Sequence, residues 1–169
     1  MWKRSEIPRF RENGSPPRTF NTVSRPSSAH VAIVGGGPAG AAATLALLNH
    51  GFAVTLIERS DYADLRIGEH LTPDAVPDLA HLDVLQEVQN GAHWRCHGVR
   101  SAWGESVVRD NAYIFSPYGD GFNLSRPAFD AMLAKQAERR GAAVLKKTRL
   151  VTLTRNNLAY PVITHTHYM

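Results

Sequence analysis

His30-Val31-Ala32-Ile33-Val34-Gly35-Gly36-Gly37-Pro38-Ala39-Gly40 is the stretch whose reading decides the fold. A β-branched run that halts at three glycines reads as a short, buried parallel strand. Pro38 suits the first turn of a helix, where its missing N–H costs nothing. The Ala- and Leu-rich sequence that follows places Ala41, Leu45 and Leu48 on one face, and Gly51 is a natural stop after His50. Phe52 to Ile57 is apolar on both faces and ends in Glu58. Residues 30–58 therefore predict a βαβ unit with a right-handed crossover.

Gly35, Gly37 and Gly40 fit G-x-G-x-x-G. In that pattern the first glycine permits the tight turn, the second lets backbone approach a pyrophosphate, and the third lets helix and strand pack closely. Pro38 and Ala39 fill the two intervening positions, so the free N–H groups and partial positive charge of the helix N-terminus face the same anion. Glu58, at the end of the second strand, is placed to accept hydrogen bonds from ribose hydroxyls and to repel a 2′-phosphate, which disfavours NADP. Spacing alone leaves FAD and NAD both open. No Lys-Ser or Lys-Thr follows the glycines, so nucleotide hydrolysis of the Walker type is not supported.

Outward from this unit, residues 59–72 read as a polar loop, and Pro73 to about Asn90 as one or two helices divided near Pro77. Short β-prone pieces at Val99–Trp103, Ala112–Phe115 and Phe122–Leu124 alternate with Gly and Pro turns, which predicts an antiparallel excursion. A second clear helix follows. Ser125 can cap it, Pro127 fits its first turn, Phe129, Met132, Leu133 and Gln136-Ala137 mark its inner face, and Gly141 ends it. Ala142–Leu145 and Leu150–Leu153 read as strands, and residues 156–169 show no regular element.

Composition bounds the partners. The net charge of +4 sits almost entirely in residues 1–29, a Ser- and Pro-rich stretch that reads as a disordered basic arm, while the remainder is neutral. Nucleic-acid binding is therefore not indicated. No apolar run reaches the roughly 18 residues of a membrane span, because the glycines interrupt the stretch from Val31 to Leu48. Cys96 is the lone cysteine, which excludes an intramolecular disulfide and, with no secretory signal, points to the cytoplasm. No metal site is expected, since His93-Trp94-Arg95-Cys96-His97 lacks the ligand count of structural zinc and the second cysteine of haem attachment. His70, beside Glu69, is a candidate general acid or base.

Three stretches together resemble a known superfamily. Val31 to Ala42, V-A-I-V-G-G-G-P-A-G-A-A, is similar to the FAD loop of flavoprotein monooxygenases. Arg66-Ile67-Gly68-Glu69 with Pro73 resembles the R-x-G-E-x-x-x-P segment of flavin-dependent tryptophan halogenases, and Arg126, Phe129-Asp130 and Leu133 resemble their R-x-x-F-D-x-x-L helix. The resemblance covers roughly residues 30–154. It implies that Gly35, Gly37 and Gly40 hold the FAD pyrophosphate and Glu58 the adenosine ribose. It further implies that Arg66 and Arg126 lie along the pyrophosphate and Arg59 near the adenosine half.

The resemblance also places Pro77 where the halogenases carry their catalytic lysine, and no lysine stands between Lys3 and Lys135. Hydroxylation, or another flavin oxidation, is then the expected chemistry, with a flavin reductase or NAD(P)H as reductant and an aromatic small molecule or a protein as substrate. The later Gly-Asp motif and the substrate domain of the superfamily are missing from the 169 residues. The expected fold is α/β, a Rossmann-like FAD-binding βαβ domain of the glutathione-reductase type cut short before the substrate domain. Residues 1–29 form the arm, 30–155 the incomplete FAD-binding domain and 156–169 an irregular tail. Two alternatives stay open, a catalytically inactive FAD- or ADP-binding fragment and an NAD-linked dehydrogenase.

Overall fold

A computed structural model describes residues 29–104, 107–153 and 162–166. The basic arm, up to residue 28, lies outside them. Strand β1 (His30–Val34) leads into helix α1 (Pro38–Asn49), which returns the chain to strand β2 (Ala53–Ile57), paired in parallel with β1 from His30↔Ala53 to Val34↔Ile57. Pro38 occupies the first turn of α1 with Gly37 as its N-cap. The βαβ unit is thus formed with the boundaries that its glycines and proline predict.

Beyond β2 the chain makes strand β3 (His70–Leu71), a 3-10 turn at Pro73–Ala75, and helices α2 (Val76–His81) and α3 (Leu85–Asn90). The break between the helices falls at Leu82 to Val84, where Asp83 takes φ +53°, and not near Pro77. Pro77 lies in the first turn of α2, a position that needs no N–H, so it starts the helix rather than dividing it.

Strands β4 (Trp94–Cys96), β5 (Gly98–Ser101), β6 (Arg109–Ala112) and β7 (Gly121–Asn123) form the antiparallel excursion, as a β3-β7-β4 sheet and a β5-β6 pair. The piece expected as a strand from Ala112 to Phe115 is different. The strand ends at Ala112, and Tyr113–Phe115 turns as a 3-10 helix that buries Tyr113.

Helix α4 (Arg126–Arg139) has Pro127 in its first turn and closes before Gly141, at φ +99°. Ser125 is its N-cap residue, but its side chain makes no capping bond. Strand β8 (Ala143–Leu145) joins β2 in parallel, giving the order β1-β2-β8. Strand β9 (Thr148–Leu153) pairs antiparallel with β10 (Val162–Thr166), so the tail expected to be irregular contributes a strand.

The core lies where the faces of the two long helices meet. Ala41 and Leu45 of α1 pack with Phe129, Leu133 and Ala137 of α4, and Leu79, Val84 and Val88 close the layer. Leu56, Tyr62 and Ala134 form a smaller cluster on the sheet beneath the glycine loop. At about 25 cal/mol per Å² of apolar surface, burying one such leucine contributes roughly 2 kcal/mol. β2 is central and mostly buried, whereas β1, read as a buried strand, is an edge whose residues alternate between partly buried and exposed. An edge strand covered on one face buries only alternate side chains. This leaves the carboxyl ends of β1 and β2 side by side at an open rim.

Candidate functional site

The rim is built by backbone first. Gly35 takes φ +104°, a left-handed conformation that glycine adopts without steric cost, and its N–H donates to Ile57 O at 2.8 Å. The turn brings Gly36, Gly37 and the first turn of α1 over the end of β2. Pro38 and Ala39 belong to that turn. Gly40 sits underneath, where a Cβ would overlap the carbonyl oxygen of Gly35 and press on Ile33. At Gly35 and Gly37 a Cβ would meet nothing within 4 Å, so open space stands over the loop at the two positions whose backbone must admit a ligand.

Glu58 is 3% exposed, and its carboxylate is held from three sides. Oε2 accepts the Gly36 N–H at 2.6 Å. Oε1 accepts the Ser60 N–H at 2.9 Å, the Ser60 hydroxyl at 2.6 Å and Arg66 Nη2 at 3.0 Å. Burial alone raises a carboxyl pKa, but the donors from Ser60, Gly36 and Arg66 together outweigh it and hold Glu58 below the ordinary carboxylate value. The hydrogen bond to Glu58 likewise raises Arg66. Oε1 is saturated, so Oε2 is the oxygen with capacity for a further donor such as a ribose hydroxyl.

Arg66 reaches on to Asp130, with Nη1 3.9 Å from Oδ2. Asp130 is fully buried in α4 and takes a two-pronged bond from Arg126, Nε to Oδ1 at 3.2 Å and Nη2 to Oδ2 at 3.1 Å. Arg126 Nη1 also donates to Ile67 O at 2.6 Å and Gly68 O at 3.2 Å. The four charged groups Glu58, Arg66, Asp130 and Arg126 therefore form one chain that ties β2, the 59–72 loop and α4 together.

Beside the chain of charges lies Tyr62, 3% exposed, with a hydroxyl that has no hydrogen-bond partner among the described residues. Burial, with the nearby charges of Glu58 and Asp130, pushes its pKa up to about 12. A Cβ on Gly36 would overlap this hydroxyl and also meet Glu58 Cβ at 2.9 Å.

A cleft of about 290 Å³ opens over these groups, lined by Val34, Gly35, Gly37, Ile57, Glu58, Arg59, Arg66 and Thr148 to Leu150. Five of the residues expected to bind a dinucleotide, Gly35, Gly37, Glu58, Arg59 and Arg66, thus share one surface, with Pro38, Ala39 and Gly40 in the helix turn behind it. Arg126 is not on that lining and spends its donors on Asp130 and the loop carbonyls. Sequence reading missed Ser60, Tyr62, Asp130 and Arg149. Asp130 carried a signal, since it stands four residues after Arg126 on a helix, the spacing of an ion pair. Ser60, two residues after Glu58, carried a weaker one, because serine hydroxyls often bond locally.

His70 lies off the cleft lining, with Nε2 2.8 Å from the Tyr113 hydroxyl and Nδ1 3.2 Å from Asn123 Oδ1. Within His93 to His97, the two histidines and the cysteine turn to separate partners. His97 Nδ1 lies 2.8 Å from Asp120 Oδ1, Cys96 Sγ donates to Gly98 O at 3.2 Å, and His93 Nδ1 accepts the Ser125 N–H at 3.2 Å. Among the described residues no helix is long and apolar enough to cross a membrane.

A turn that bares backbone N–H groups beside a carboxylate with one open acceptor oxygen suits a molecule carrying a diphosphate next to a ribose. Comparison with known proteins agrees. LodB of Marinomonas mediterranea, provisionally named an FAD-dependent oxidoreductase, is 33% identical over 132 residues, 77% of this chain and 36% of that protein. A tryptophan 2-halogenase of Chondromyces crocatus is 34% identical over 122 residues, 72% of this chain and 23% of that protein. The chain thus spans about a quarter to a third of the length of these relatives. The myxobacterial chondrochloren halogenase CndH superposes with a TM-score of 0.68 at 27% identity, covering 75% of this chain and 30% of that one. The flavin-dependent halogenase CmlS does so at 0.66 and 25%, covering 83% and 28%. Since the model of the FAD binding domain family matches residues 28–163, the chain belongs to that family, and its cofactor is FAD.

Proposed function

We propose that this chain holds the ADP half of FAD in the cleft, with the diphosphate on the Gly35 to Gly40 turn and the adenosine ribose on Oε2 of Glu58. The observation that carries the reading is the 2.6 Å bond from Gly36 N–H to Glu58, which keeps the ribose acceptor in register with a loop that is open at Gly35 and Gly37. Arg59 and Arg66, on the same lining, offset the negative charge of a diphosphate. FAD, when bound, supplies the redox chemistry of the whole protein. This chain's residues bind and orient it.

That chemistry is a flavin-dependent oxidation other than halogenation, acting on an aromatic molecule or a protein, with a flavin reductase or NAD(P)H as reductant. Support comes from position 77, where the resemblance to the tryptophan halogenases calls for a lysine. Here it is Pro77, in the first turn of α2, and no lysine occurs between Lys3 and Lys135.

The test is the absorbance spectrum of the purified chain with titrations of FAD, ADP and NAD. Saturable binding of FAD and ADP, with NAD weaker, is expected. A folded chain that ignores FAD and ADP, or prefers NAD, overturns the reading.

A further inference from the structure

Three groups stand in order along the carboxyl rim of the β1-β2-β8 sheet. The glycine loop follows β1, Glu58 follows β2, and the start of β9 lies beyond Glu58. Backbone bonds fix this last placement, from Thr148 N–H to Glu58 O at 3.0 Å and from Lys147 N–H to Ser60 O at 3.2 Å. The adenosine end of a dinucleotide has its own order of diphosphate, ribose and base. With diphosphate on the loop and ribose on Glu58, the base falls over Thr148, Arg149 and Leu150.

Arg149 differs from Arg66 and Arg126. Arg66 and Arg126 spend their donors on carboxylates and carbonyls, whereas the exposed side chains of Arg149 and Arg59 line the same cleft with no hydrogen bond or ion pair to a described residue, and of these two only Arg149 stands beyond Glu58, on β9. Leu150, the next residue of β9, gives that end of the cleft an apolar side chain. A planar, weakly hydrated guanidinium beside an apolar side chain suits the face of a heteroaromatic ring. A 2′-phosphate would instead have to lie against the ionised carboxylate of Glu58.

We infer that Arg149 stacks on the adenine of the bound dinucleotide and makes the site selective for ligands carrying a base. This rests on the proposed FAD reading of the cleft.

The experiment titrates wild type, Arg149→Ala, Arg149→Tyr and Arg149→Lys with ADP, FAD and inorganic pyrophosphate, which lacks the base. Because Arg149 has no described side-chain partner, all four proteins are expected to melt alike. Arg149→Ala should weaken ADP and FAD about 2- to 5-fold, the range of an exposed cation–π contact, and change pyrophosphate less. Arg149→Tyr, planar but uncharged, should recover ADP binding, and Arg149→Lys should not. Unchanged ADP affinity in Arg149→Ala overturns the inference. So does recovery by lysine but not tyrosine, which would make the contact a charge on phosphate. If wild type binds neither ADP nor FAD, the reading of the cleft fails instead.

Discussion

Glu58 Oε2 receives the Gly36 N–H at 2.6 Å while its Oε1 receives Ser60 twice and Arg66 once, so one carboxylate fastens the glycine loop to the start of the 59–72 loop. A glutamine in its place would point an NH2 at one of two sets of donors. Whichever way the amide turns, an N–H meets an N–H, and hydrogen bonds to a charged group are worth about 1.5–3 kcal/mol. Glu58→Gln is expected to lose about 2–3 kcal/mol in urea unfolding and to weaken FAD at least tenfold. Wild-type stability in that variant would show that the carboxylate network holds nothing together.

Two of the fingerprint glycines should separate into different phenotypes. Gly40→Ala drives a methyl into the carbonyl of Gly35, a backbone atom that cannot step aside, and overpacking of this kind costs about 1–3 kcal/mol. Gly37→Ala meets no atom within 4 Å at an extended backbone position open to any residue, so its melting temperature should match wild type. Its FAD affinity should fall, because the methyl occupies the ligand's space. Equal FAD affinity for Gly37→Ala and wild type would sink the phosphate-loop assignment.

How legible the molecule is from sequence depends on the range of the contact concerned. β1, α1, β2 and α4 follow from local periodicity and their bounding glycines and prolines, because Ala41, Leu45, Phe129 and Leu133 recur at helical spacing on the faces that the core buries. Pro77 misled because proline either breaks a helix or starts one, and the break falls instead where Asp83 takes φ +53°. Tyr113 to Phe115 has strand composition, yet burial of one aromatic ring turns it into a 3-10 helix. Of the site, the glycines and Glu58 follow from a motif with near-fixed spacing. The partner of Arg66 across the fold, the orphaned hydroxyl of Tyr62 and the place of Arg149 depend on elements distant in sequence, and no local pattern encodes them.

Two titrations give stability a signed pH dependence. Glu58 is held below its ordinary value of 4.5, so its contribution is complete above that value and is lost as the pH falls through its folded pKa. Tyr62 is held at about 12 against 10.0 when unfolded, because the buried phenol stays neutral. Between those values the unfolded chain has lost a proton that the folded chain keeps, so stability falls as pH rises. Two pKa units correspond to roughly 3 kcal/mol at most. Tyr62→Phe removes both this titration and a buried hydroxyl that lacks a partner. It should therefore be as stable as wild type or up to about 1 kcal/mol more so at neutral pH, with a shallower decline from pH 10 to 12. A loss of stability at neutral pH would mean that the hydroxyl has an acceptor.

Asp130 is the buried counter-ion on which both neighbouring arginines converge, and Arg126 passes the constraint on to the carbonyls of Ile67 and Gly68. Asp130→Asn keeps the shape but removes the charge, leaving Arg126, itself only 13% exposed, without its ion pair. Breaking one side of a buried pair costs about 3–5 kcal/mol, and the amide oxygen retains part of the bonding, so a loss of about 2–4 kcal/mol is expected. The 66–68 loop should loosen with it, and limited proteolysis should cut sooner beside Leu65 and Ile67, whose side chains are more than nine-tenths exposed. A double-mutant cycle with Arg126→Met separates this from a general defect. If the arginine and aspartate act as one unit, Asp130→Asn should cost at least 1 kcal/mol less in the Arg126→Met background than in wild type. Additive losses would mean that Asp130 serves α4 alone, and that the loop carrying Arg66 is positioned by Glu58 and Ser60 without it.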